Sequence, residues 1–183
     1  MKIEKNNCCL LIIDLQEKLL SHIFDYHKVL DFSEKIVDLF SFLRIPILYT
    51  EQYPKGLGGT IHSLKNKLDL IKCRRFEKTS FSAFEAPKLS VYLKKLKKKQ
   101  IILVGIETHI CILQTSFDLV NAGYKVFLVD ESVGSRKLSD KEKGLQRIIQ
   151  KSVDLINFEM LFFELLRDSN HKSFKELSNK FIK

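Results

Sequence analysis

The sequence is short of breaks. With 3 prolines and 7 glycines in 183 residues, and no serine-rich or acidic block, it offers no linker at which to divide the chain. A single domain is expected, since domains of about 100 to 200 residues are the usual size and bury a full core. No internal repeat is present. Long apolar runs are missing too: the polar start, Met1 to Asn7, leads into Cys8 to Ile13, far below the about 20 residues a bilayer requires. No small-residue cleavage site follows, so a cytoplasmic protein without membrane contact is expected. The four cysteines, Cys8, Cys9, Cys73 and Cys111, form neither a C-x-x-C pair nor a zinc arrangement, which excludes a disulfide scaffold and leaves reduced thiols.

What the chain does have is positive charge, +9 net, which raises the question of nucleic acid or an anionic membrane. The lysines are scattered along the sequence. The one dense run, Lys94 to Lys99, continues a pattern that puts Leu89, Leu93 and Leu96 on one helical face, where cations complement a helix C-terminus. No RNA-binding aromatic signature accompanies it, so no nucleic-acid partner is expected.

Apolar runs and helical patterns alternate. Cys8 to Ile13, Ile47 to Thr50, Ile101 to Gly105, Val126 to Val129 and Val153 to Ile156 read as strands. Helical stretches fall at about Tyr26 to Leu43, Ile110 to Ala122 and Ser139 to Lys151, with Gly123 at a C-cap position. Strands apolar on both faces and separated by helices predict a parallel sheet covered on both sides. Ligands of such sheets collect outside the carboxyl ends of the strands, so Asp14, the segment Glu51 to Gly59, Glu107 to Cys111 and Glu131 to Arg136 should converge on one rim.

Three residues on that rim carry chemical interest. Cys111 lies where a strand gives way to a helix, a position in which a thiol can be activated. Asp14 follows Leu10-Leu-Ile-Ile13 directly; emerging from hydrocarbon, its carboxyl would be pushed up and suited to proton transfer, while an N-cap role is the alternative. Lys78, in Phe76-Glu-Lys-Thr-Ser-Phe-Ser-Ala-Phe84, is either a surface lysine or a buried ammonium that needs an anion. His109 stands two residues from Cys111, and residues two apart on a helix do not face each other, which disfavours a Cys-His pair.

The stretches Leu11-Ile-Ile-Asp-Leu-Gln16, Lys78-Thr-Ser-Phe-Ser-Ala83 and Gly105-Ile-Glu-Thr-His-Ile-Cys111, in that order, resemble the isochorismatase-like cysteine hydrolases. Thr50-Glu-Gln-Tyr-Pro-Lys-Gly-Leu-Gly58, Cys111-Ile-Leu-Gln-Thr115 and Phe174-Lys-Glu-Leu177 are similar to the branch of isochorismatase-domain-containing proteins. The resemblance implies a three-layer α/β/α sandwich, Rossmann-like, with a mostly parallel sheet. It further implies a triad of Asp14, Lys78 and Cys111, in which a thiolate held by Lys78 attacks a carbonyl and Asp14 takes the proton. The oxyanion would rest on the backbone N–H groups of Glu107 and Cys111, with a cis peptide between Ile106 and Glu107. Gln16, Tyr53, Phe81 and Ile106 are the candidates to line the substrate pocket.

No cofactor is expected. Nicotinamidases of this superfamily bind metal through an Asp-x-His pair, and the corresponding region here reads Glu51-Gln-Tyr53, without the imidazole. The implied activity is metal-independent hydrolysis of a small amide or related C–N bond, the alternative being a binding or regulatory protein that keeps the scaffold without turnover. The loop Tyr53 to Thr60 is either a lid or an ordinary turn. Phe158 to Leu166, apolar on more than one helical face, is buried in the core or against a partner chain, and a homo-oligomer is expected.

Overall fold

The computed structural model describes residues 1–182. Six strands, β1 (Cys8–Ile13), β2 (Ile47–Gln52), β3 (Arg74–Lys78), β4 (Gln100–Ile106), β5 (Lys125–Gly134) and β6 (Asp154–Ile156), form one sheet in the order β3-β2-β1-β4-β5-β6. Every pairing is parallel. The α-helices are α1 (Glu17–Leu20), α2 (Tyr26–Leu43), α3 (Pro54–Leu57), α4 (His62–Leu70), α5 (Pro87–Leu96), α6 (Leu113–Asn121), α7 (Leu138–Ile149), α8 (Phe158–Leu166) and α9 (Phe174–Phe181).

Period-2 alternation along the strands sorts the apolar residues into two cores. Cys8, Leu10 and Ile12 of β1, with Ile102, Val104 and Ile106 of β4, pack on the face covered by α2, α4, α8 and α9. Cys9, Leu11 and Ile13, with Ile101 and Leu103, pack on the face covered by α5, α6 and α7. The result is the expected three-layer α/β/α sandwich with a wholly parallel sheet.

The five strands and three helical stretches read from the sequence are all present, but β5 runs on to Gly134, so that Glu131 to Gly134 belong to the strand rather than following it, and β3 and the helices α1, α3 and α4 are additions. The reading of five strands omits β3, because Arg-Arg-Phe-Glu-Lys is too polar to register as an apolar run. Its residues are exposed, exposed, buried, exposed and buried in turn. An edge strand has one free side, and there alternation survives without a continuous hydrophobic run. Most of the apolar excess of α8 is accounted for within the chain. Phe158, Leu161, Phe162, Leu165 and Leu166 are buried, while Phe174 and Phe181 of α9 contact Phe163 and Phe158 at ring-centroid distances of 6.2 Å each.

Where β4 ends, its backbone closes on β1. Gly105 has φ +121, and a Cβ there would fall on the carbonyl oxygen of Ile13, its register partner. Only glycine permits that approach. Gly105→Ala is therefore expected to lower unfolding stability by more than about 1 kcal/mol. At Gly59 an added Cβ meets only Glu51 Oε1 at 3.6 Å, so Gly59→Ala serves as the tolerated control in the same urea titration.

Candidate active site

The carboxyl ends of four adjacent strands deliver the site. β1 ends at Ile13, and Asp14 follows in the left-handed region with φ 52, which turns its carboxylate across the rim. It caps no helix: α1 begins at Glu17, and Gln16 holds the N-cap position. β2 supplies Thr50 and, in register with Lys78 of β3, Gln52. After β4 comes the cis peptide between Ile106 and Glu107, then a π-helical turn, Thr108–Ile112, that carries Cys111 into α6. Short π-helical turns recur at functional positions because they re-aim one side chain.

Lys78 is the hub. Its side chain is fully buried, and Nζ lies 2.7 Å from Asp14 Oδ2. It donates to Gln52 Oε1 at 2.6 Å, to the carbonyl oxygens of Ser80 and Phe81 at 3.2 and 3.1 Å, and stands 3.7 Å from Cys111 Sγ. Thr50 Oγ1 donates to Asp14 Oδ1 at 2.7 Å. The segment after β3 folds over the rim, anchored where Ala83 N–H donates to Thr115 Oγ1 of α6 at 2.8 Å. That cover turns a lysine on an exposed edge strand into a buried one.

The electrostatics differ from a preformed thiolate. Burial pushes the Cys111 thiol up to about 12, the Asp14 charge adds to this, and Lys78 pulls the other way without prevailing. Burial likewise raises the Asp14 carboxyl, against the ammonium of Lys78 and hydrogen bonds from Lys78, Thr50 and Cys111. With the ammonium already matched by Asp14, the resting sulfur keeps its proton. The expectation of a thiolate held by Lys78 does not describe the resting site, where burial outweighs the ammonium.

The pocket candidates divide. Tyr53 is 54 % exposed and, with Lys78, Thr79 and Ser80, lines a depression of about 680 Å³ that Cys111 itself does not border. Phe81 exposes its ring, and its carbonyl, rather than the ring, holds Lys78. Ile106 is buried in the core on the α2 face of the sheet, opposite the face that holds Cys111, so its side chain cannot line the pocket. Nor can that of Gln16: its amide donates to the carbonyls of Gln52 and Gly58 at 3.0 and 2.6 Å and accepts from Gln52 N–H at 2.7 Å.

Those bonds tie down the loop from Tyr53 to Thr60. Glu51 adds to the fastening, accepting at Oε1 from Thr60 N–H and Oγ1 at 2.8 and 2.9 Å. Arg75 reaches its other oxygen at 3.2 Å. The loop is a strapped connection rather than a free lid. The carboxylate at the position matching a nicotinamidase metal ligand is thus fully engaged, and among the described residues no three His, Cys, Asp or Glu side chains gather around a common point. His109 meets Ser135 Oγ through Nδ1 at 2.9 Å, and Glu107 accepts from Arg136 N–H and Nε, both at 3.1 Å.

Gln52 and Thr50 escaped the sequence reading as members of the cluster. Alternation places both on the Cys111 side of β2, a signal usable only once their partner strand is known. Gln52 holds Lys78 through a neutral oxygen, so it orients the ammonium without cancelling its charge.

A thiol, a carboxylate and an ammonium buried together at the carboxyl rim of a parallel sheet define a Rossmann-like α/β protein of hydrolase fold. The chain belongs to the isochorismatase family: the model of the isochorismatase domain matches residues 8–160. It is 37 % identical over 179 residues to isochorismatase family protein 1B of Dictyostelium discoideum, covering 96 % of this chain and 86 % of that one. Among solved structures, it is similar to one described as the MAR1 ribonuclease of Caenorhabditis elegans, with TM-score 0.92 and 35 % identity over 100 % of this chain and 93 % of the other. The YcaC gene product of Escherichia coli, described as an octameric hydrolase of unknown specificity, shares the fold at TM-score 0.91 and 22 % identity, covering 100 % and 91 %.

Removing one member of a buried ion pair strands the other. Lys78→Met is expected to cost about 3–5 kcal/mol of stability. Adding Asp14→Asn, which keeps the left-handed backbone accessible, should recover part of that loss in denaturant melts of the double variant. Strict additivity of the two losses would contradict the pairing.

Proposed function

We propose that the chain is a metal-independent cysteine hydrolase that cleaves a small amide or related C–N bond through Cys111, Asp14 and Lys78. The observation that carries this reading is the single ammonium of Lys78, 2.7 Å from the carboxylate and 3.7 Å from the sulfur inside a buried cluster. A surface cation would need no such company. A thiol only 7 % exposed suits a small molecule better than a polymer.

In the proposed sequence the thiol proton moves to Asp14 as Sγ attacks the carbonyl carbon. Lys78, released from balancing the carboxylate, now faces the sulfur and stabilises the charge that develops there. The N–H groups of Glu107 and Cys111 receive the oxyanion, which such donors stabilise by hydrogen bonding in a dry site. Asp14 returns its proton to the departing nitrogen, leaving a thioester. It then takes a proton from water, whose oxygen attacks the acyl carbon; the C–S bond breaks, the carboxylic acid leaves, and Asp14 passes its proton to the departing sulfur. Burial raises the Asp14 carboxyl and so makes it a stronger base for the proton.

Self-association is part of the reading. Met160 and Phe163 of α8 remain 51 % and 46 % exposed, and YcaC is described as an octamer. Light scattering at micromolar concentration should return a multiple of the 21.4 kDa chain mass; a monomer would contradict it.

Turnover in a screen of small amides should vanish in Cys111→Ala, and in Asp14→Asn fall by about a hundredfold or more. Because burial raises the Asp14 carboxyl, kcat/KM should climb with pH along an acid limb displaced above the ordinary aspartate range, as the base ionises. Without substrate, iodoacetamide labelling of Cys111 should be slow at neutral pH and increase into the alkaline range, following a thiol raised to about 12. Wild-type protein that binds the amides but forms no acyl-enzyme by mass spectrometry would instead identify a non-catalytic binding protein.

A further inference from the structure

The cations that look scattered in sequence are not scattered on the fold. Two depressions meet at the open edge of the sheet, one of about 810 Å³ between β3 and α5 and one of about 340 Å³ between the end of α2, the start of β2 and the turn before β3, and both are lined by Arg74 and Tyr92. Around them stand Arg44, Lys72, Arg74, Lys88 and Lys95, all exposed. They come from the end of α2, the turn before β3, β3 itself and α5.

None of the five has an acidic partner among the described residues. The one acid in the groove, Glu77, is held by Arg75 at 2.9 Å, and Arg75 also reaches Glu51 at 3.2 Å. The groove therefore keeps a net charge of five positive units within a chain of net +9. Lys88, Tyr92 and Lys95 lie at i, i+4 and i+7, on one face of α5. The Arg74 guanidinium sits over the Tyr92 ring at 4.5 Å from its centroid, so that a planar surface interrupts the row of charges.

A row of unmatched cations with a stacked arginine–tyrosine plane in its midst suits a ligand whose charge repeats along a backbone and which carries flat rings. Phosphates neutralise such cations with release of counterions, and bases stack on aromatic and guanidinium planes. An acidic peptide would match the charge and leave the plane unused. A second copy of this chain would bring like charge. We propose that the groove between β3 and α5 binds single-stranded nucleic acid by its backbone, with one base stacked on the Arg74–Tyr92 pair. This function is independent of the hydrolase reading and uses none of its residues.

The test is fluorescence anisotropy of a labelled, mixed-sequence single-stranded oligoribonucleotide across a sodium chloride series. Five phosphate contacts at about 0.7 each give an expected slope of log affinity against log salt near about −3.5. K88E/K95E, confined to the exposed face of α5, should weaken binding at least about tenfold and flatten the slope by about 1.4, with the circular dichroism spectrum unchanged. K172E/K175E, an equal charge change on and beside α9, should leave affinity within about twofold. Equal losses in the two double variants would reduce the effect to net charge and overturn the proposal. So would a slope that K88E/K95E leaves unchanged, or a duplex that competes as well as the single strand. Binding of an acidic peptide in place of the oligonucleotide would overturn the assignment of partner.

Discussion

The site is organised around one buried ammonium. Lys78 reaches it from the edge of the sheet, and Asp14, Gln52, two carbonyls and Cys111 are all placed by the requirement that this charge be satisfied away from water. A buried cation without an anion is costly, and a buried carboxylate without a cation equally so. The pair is tolerable only if both partners arrive together, which ties the geometry of β1 to that of β3 across the intervening β2. Gln52 completes the arrangement from that middle strand with a neutral oxygen.

The same matching explains why the resting sulfur is protonated. An ammonium already paired with a carboxylate has little attraction left for a second anion, and burial disfavours a bare thiolate. In the proposed hydrolysis, chemistry depends on redistribution: once Asp14 holds the proton, the cation is free to favour the sulfur. The cluster keeps one proton fewer than its acidic groups could hold and directs where it resides.

Much of the fold was legible in the sequence, because its central strands are buried on both faces and so read as unbroken apolar runs. β1 and α2 carry the expected bounds. β3 was not legible, since an edge strand with Arg74, Arg75 and Glu77 on it satisfies its polar side chains in solvent and leaves only two buried positions. The site was partly legible. Asp14 and Cys111 stand at strand ends, where the topology of a parallel sheet collects ligands. Lys78 could be read as surface or buried, and the residues alone did not choose between them. Gln16 and Ile106 were read too near the chemistry: one fastens a loop through its amide, the other fills the far core.

By itself, the sequence determined the layered parallel architecture, membership in the isochorismatase family and the strand ends from which functional groups could come, because hydrophobic periodicity and local motifs are properties of neighbouring residues. Tertiary structure alone decided that Lys78 is buried, that Gln52 and Thr50 join the cluster, that the loop after β2 is strapped, and that distant cations line one groove. Each of these depends on groups far apart in the chain being brought within a few ångströms, where desolvation and unscreened charge replace sequence spacing as the governing quantities.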